Sequence, residues 1–146
     1  MWQADAFWVF SCEYYAQRKQ QFLQLQNQHG LNVNLLLLAV YLDTQNVMLA
    51  AEHWQKLINV VLPSDKQLQQ VRLRRQSLDK SGDMYTQQLA QELALEQQQQ
   101  ACCIALLNQL PNIQQGALQK PNNVAKYISL VIPRSDAGSL ALPISQ

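Results

Sequence analysis

Apolar positions along the chain recur at helical intervals, and the strongest run, GLNVNLLLLAVYL from Gly30 to Leu42, is apolar on every side. Leu35, Leu36, Leu37, Leu38, Val40 and Leu42 surround a helix axis completely, which predicts a central helix over about residues 33–43 enclosed by its neighbours. Asn32 stands where an N-cap belongs, and Asn34 falls in the first turn. Upstream, Phe7, Phe10 and Tyr14, flanked by Trp8, Cys12 and Tyr15, recur at threes and fours behind Asp5, the candidate N-cap of an aromatic helix. A second, shorter amphipathic stretch, RKQQFLQLQNQHG, carries Phe22, Leu23 and Leu25 and closes at His29, with Gly30 as a left-handed C-cap.

Downstream, Trp54, Leu57, Ile58, Val61 and Leu62 give the cleanest amphipathic match. Pro63 is expected to end that helix, with Ser64 or Asp65 capping a next one whose stripe is Leu68, Val71, Arg75 and Leu78. After the Ser81-Gly82-Asp83 turn, Met84 to Leu110 reads as a long glutamine-rich helix, on the order of 40 Å. Its stripe runs through Tyr85, Leu89 and Leu93, fades across Gln97 to Gln100, and resumes at Cys103, Ile104, Leu107 and Leu110. A break, or a helix projecting from the body, is therefore expected near the glutamines. Beyond Pro111 the prolines Pro121, Pro133 and Pro143 mark loop, apart from VAKYISLVI, a short helix with Asn123 as its expected cap; the last dozen or so residues are expected to be loosely ordered. The fold class is all-α: a helical bundle over residues 1–110, followed by an extension over residues 111–146 with one short helix and a tail.

The strings WVFSCEYYAQ, FLQLQNQHGLNVNLLLLAVYL, HWQKLINVVLP and VRLRRQSLDK, in this order, resemble a family of small proteobacterial proteins known as domain of unknown function 2390. The shared pattern is an aromatic helix ending in Tyr, a leucine-glutamine helix, a Gly-x-x-Val-Asn-Leu-Leu-Leu core helix, a tryptophan helix and an arginine-rich helix ending in Leu-x-Lys. It covers about the first 80 residues, and the polar segment after Pro63 departs from it. The resemblance implies a compact helical domain in a bacterial cytoplasm and carries no activity.

Composition narrows the function. Net charge is +1 with 14% charged residues, and glutamine, roughly one residue in six, takes over the surface. Such a balance disfavours a dedicated nucleic-acid binder, which needs clustered cations, while leaving a local basic patch open. Cys12, Cys102 and Cys103 form no spaced framework, which suits a reducing compartment such as the cytoplasm. The start lacks the basic segment of a signal peptide, and the longest apolar run, Leu35 to Leu42, is far short of the roughly 20 residues of a membrane span.

No zinc or paired-iron spacing is present, and neither a metal nor a cofactor is expected. His29, His53, Ser11, Cys12, Asp5, Glu13 and Asp43 exhaust the candidates for acid-base or nucleophilic work, and both histidines are accounted for by helix geometry. Arg72, Arg74 and Arg75 are an anion, RNA or partner site in one reading; in the favoured one, Arg75 pairs with Asp5 or Glu13 of the first helix. Asn34 is expected to bond to the preceding loop or to a hydroxyl of Tyr14 or Tyr15. The alternative is a polar-aromatic pocket of Tyr14, Tyr15, Asn34 and Trp54 for a small molecule or substrate. With no catalytic constellation and an amphipathic length beyond one small core, the expectation is a non-enzymatic module that binds another protein or itself.

Overall fold

Gly30 takes up φ 67° and ψ 22°, and its amide donates to the Gln26 carbonyl, so the chain leaves its first helix in a left-handed turn and enters the next at Val33. In the computed structural model, which describes residues 1–116 and 120–132, five helices follow one another: α1 Ala4–His29, α2 Val33–Thr44, α3 Ala51–Gln76, α4 Asp83–Leu107 and α5 Asn123–Val131. Two-residue strands, β1 Val47–Met48 and β2 Gln114–Gln115, pair antiparallel with Val47 opposite Gln115. The class is all-α, as the periodicity predicts. The expected loose tail lies outside the described residues.

The leucine-rich helix is the centre. Leu35, Leu36, Leu38, Ala39, Val40 and Leu42 of α2 are all essentially inaccessible, and Asn32 caps the helix by accepting the Leu35 amide at 2.9 Å. Around α2 pack Phe7, Phe22 and Leu25 of α1, Trp54, Leu57 and Val61 of α3, Cys103, Ile104 and Leu107 of α4, and Val124, Tyr127 and Ile128 of α5.

Four local expectations are corrected. The first two helical stretches join into α1, bent at Arg18, whose φ −132° and ψ 26° leave the helical region; Gln3 occupies the N-cap position and Asp5 the first turn. Pro63 lies inside α3 and does not end it. Its missing donor costs about 3 kcal/mol, but its ring sits on the exposed face, and the seam of Leu57, Val61, Leu68 and Val71 buries side chains worth about 1.5–3 kcal/mol each. Ser64 Oγ accordingly turns back to the Val61 carbonyl at 3.1 Å and starts no new helix. The third correction is in the end of α4, which stops at Leu107; of the two outcomes expected near the glutamines the helix shows no break, running unbroken through Gln97–Gln100, and projects as an arm before them. Gln99 and Gln100 are 2% and 1% exposed, so the fading of the apolar stripe marks a polar layer inside the molecule. Lastly, Asn122, not Asn123, holds the N-cap position of α5, because Asn123 is fully buried and bonded elsewhere.

Helix α1 runs antiparallel to α4, fastened where the Trp2 amide donates to Asn108 Oδ1 at 2.8 Å and Asn108 Nδ2 donates to the Trp2 carbonyl at 3.0 Å. Phe7 and Phe10 before the bend at Arg18 pack on Tyr41 of α2, and Phe22 and Leu25 beyond it are buried in the same core. The distal part of the α3–α4 hairpin is left as an arm on which Leu73, Met84, Leu89 and Leu93 are exposed. Leu68 and Val71 are buried in this hairpin but outside the main core. No helix among the described residues is long and apolar enough to cross a membrane.

Candidate functional site

Where α2 begins, four helices contribute to one hydrogen-bonded layer. Asn34 Nδ2 donates to Gln99 Oε1 at 2.9 Å and to the Glu96 carbonyl at 3.2 Å, and Gln100 Nε2 donates to Asn34 Oδ1 at 3.0 Å. Asn32 Nδ2 donates to Gln99 Oε1 at 3.2 Å and to Asp65 Oδ1 at 3.0 Å, while Gln99 Nε2 donates to Ser64 Oγ at 2.7 Å. The Asn32 amide donates to the Tyr127 hydroxyl at 2.9 Å, tying in α5. Asn34 is thus satisfied by glutamines of α4, not by the preceding loop or by Tyr14 or Tyr15. A buried amide left unpaired costs about 1–3 kcal/mol, so the layer holds α2 and α4 in one register. Ser11 Oγ and Gln100 Oε1 are buried without a partner among the described residues.

One or two turns farther along the arm, charge replaces amides. Arg75 grips Glu92 with Nε on Oε2 at 2.7 Å and Nη2 on Oε1 at 3.2 Å; Arg72 reaches Glu92 at 3.3 Å and Glu96 at 3.1 Å. Glu92, whose side chain is 9% exposed, is the partner the sequence reading assigned to Asp5 or Glu13. The α3 seam Leu57, Val61, Ser64, Leu68, Val71, Arg75 and Leu78 repeats at alternating fours and threes, and Glu92 and Gln99, seven apart on α4, meet it at Arg75 and Ser64. Arg72 and Arg75 therefore spend their donors within the hairpin, whereas Arg74 stands on the exposed side of α3. Tyr15 lies beside this ladder: burial raises its phenol pKa, Glu96 raises it further, and Arg72 opposes.

Trp54 and Asn34 belong to different surroundings. Trp54 lies against Tyr127 with ring centroids 5.6 Å apart, and its Nε1 donates to Asn123 Oδ1 at 3.3 Å. Tyr14 stacks on Phe10, lies under the Arg18 guanidinium, and lines an open surface depression with Phe10, Glu13, Gln17 and Arg18. Tyr15 packs against Phe22. That depression does not include Tyr15, Asn34 or Trp54.

Asn123 is a structural residue that sequence reasoning took for a cap. Its Oδ1 accepts the Leu49 amide at 3.0 Å as well as Trp54, and its Nδ2 donates to the Val47 carbonyl at 2.7 Å and to Asp43 Oδ1 at 2.8 Å. Asp43 at the end of α2 also accepts the Asn123 amide at 3.0 Å, so it supplies the cap itself. No signal in the chain marks this, since both residues act across 80 positions of sequence.

Burial pushes the Cys103 thiol up to about 12, far from a thiolate at neutral pH, and His53 Nδ1 accepts the Ala50 amide at 3.2 Å, holding the first turn of α3. Among the described residues no three His, Cys, Asp or Glu side chains group to hold a metal ion.

Three partly buried carboxyls set a pH dependence. Burial raises Asp65, with Arg72 and Asn32 opposing; it raises Glu96, with Arg72 opposing; and it raises Asp43 against the bonds from Asn123. A raised folded-state pKa means that the folded chain binds the proton more tightly, so stability is fullest below the ordinary carboxyl values and falls as pH rises through the folded ones. Melting temperature is expected to decline as pH rises above the ordinary carboxyl range of about 4, and Asp65→Asn to flatten that slope. A slope of the same size in the variant excludes Asp65 as a source.

A protein-family model described as "Protein of unknown function (DUF2390)" matches residues 6–102, reaching into the glutamine-rich helix α4 and past the expected first 80 residues. No curated protein and no solved structure matches the chain.

Proposed function

Because the chain belongs to the DUF2390 family of proteins of unknown function, membership brings no activity with it, and we propose that it is a non-enzymatic protein–protein interaction module. Its working surface is the solvent face of the distal half of α4. The supporting observation is the exposure of Leu89 and Leu93, 41% and 54%, on a helix whose apolar positions nearer its C-terminus are buried. Leu89, Leu93, Glu96, Gln100, Cys103 and Leu107 repeat at alternating fours and threes, so one seam is buried from Gln100 onward and open before Glu96. Occupied guanidinium groups at Arg72 and Arg75 weigh against the anion or RNA reading, and the different partners of Tyr14, Asn34 and Trp54 weigh against the pocket reading.

Site-specific photo-crosslinking in cells tests this. A photoreactive residue in place of Leu93 is expected to form covalent adducts with protein, while one in place of the exposed Glu52 on α3 forms fewer. Equal yields, or none at either place, count against the module.

A further inference from the structure

Past the exposed Asp83 at its first residue, the distal face of α4 carries no unneutralised charge. Between Met84 and Leu107 the only charged residues are Glu92 and Glu96, and both are paired with arginines of α3. The exposed positions here are Thr86, Gln87, Leu89, Ala90, Gln91, Leu93, Ala94, Gln97 and Gln98, all neutral. Exposed helix faces ordinarily alternate charges of both signs, which keep like surfaces apart and let unlike ones be recognised. This one does neither. Glutamine amides both donate and accept, so a glutamine-lined face complements another of its own kind.

We infer that the uncovered face of α4 docks on the same face of a second copy of this chain, antiparallel, across a two-fold axis lying between Leu89 and Leu93. The inference rests on the interaction reading and supplies its partner. An isologous contact requires that each residue meet the residue that meets it in return. Antiparallel alignment satisfies this along the spine Thr86, Leu89, Leu93 and Gln97: Leu89 faces Leu93 of the second copy, and Thr86 faces Gln97, where a hydroxyl and an amide can bond. Ala90 lies beside the axis, where a small side chain allows close approach. Past Asp83, a partner of strong charge finds nothing here to pair with. One helix face per copy is a small contact, so the dimer belongs to the weak, reversible class.

Sedimentation velocity on the full chain, from about 1 μM to about 1 mM, tests the inference. The average mass is expected to climb from 16.7 kDa toward twice that value, and Leu93→Glu to weaken association about tenfold or more with an unchanged melting temperature. Leu73→Glu, two residues from both Val71 and Arg75 and so on the far side of α3, is expected to leave association unchanged. A mass fixed at 16.7 kDa throughout, or Leu93→Glu associating like the parent chain, overturns the second copy as occupant. If the chain stays monomeric while crosslinks from position 93 persist, the module stands with a different partner; if both vanish, the interaction reading falls too.

Discussion

Asn123→Ala is expected to lower the unfolding free energy by about 4 kcal/mol, the largest effect of any single polar truncation in this molecule. The change orphans the Leu49 amide, the Trp54 indole and the Val47 carbonyl together, each a group that costs about 1–3 kcal/mol when buried without a partner, and takes a donor from Asp43. For a chain of this size such a loss corresponds to a fall of about 10 °C in melting temperature. Asn123→Asp is expected to fare no better, since it loses the donor to Val47 and sets a second carboxylate against Asp43. Urea denaturation followed by circular dichroism measures both; a loss below about 1 kcal/mol for the alanine variant excludes Asn123 as the fastening of the corner between α2, α3 and α5.

Asn34→Leu is expected to cost about 3 kcal/mol, and the pair Asn34→Leu with Gln100→Leu to cost clearly less than the single change. The single substitution strands the Gln100 amide, which is buried and has no other acceptor among the described residues, and removes one of the donors to Gln99. Gln100 already carries a buried Oε1 with no partner, so replacing it together with Asn34 removes polar atoms from an apolar setting. Gln99 retains Asn32 and Ser64 in either case. The coupling energy from a double-mutant cycle reads the difference, and costs that simply add show that the two side chains act independently.

What could be read from the chain alone follows from how local each cause is. Asn32 as a cap, Gly30 as a left-handed C-cap and the all-round leucines of α2 are decided within a turn or two of helix, and all three are found. Pro63 is a stop signal only if its neighbours have nothing to bury, and here the seam on either side of it does. Gln99 and Gln100 look like surface until Asn34 and Ser64 arrive from other helices. The candidate site divides in the same way. The arginine spacing pointed to an ion pair in the α3 seam, yet Glu92 could be chosen over Asp5 or Glu13 only by the antiparallel return of α4. Asp43 and Asn123, 80 positions apart, left no local trace.

The layer of amides also divides the apolar interior. On one side lies the core around α2; on the other, Leu68 and Val71 are buried between the amides and the ion pairs of the hairpin. Polar seams of this kind separate regions that come apart at different free energies. Amide protons near the tip, around Gly82, should accordingly trade with deuterated solvent far sooner than those of Leu36 or Leu38, and the molecule has a place to fray that leaves its centre shut.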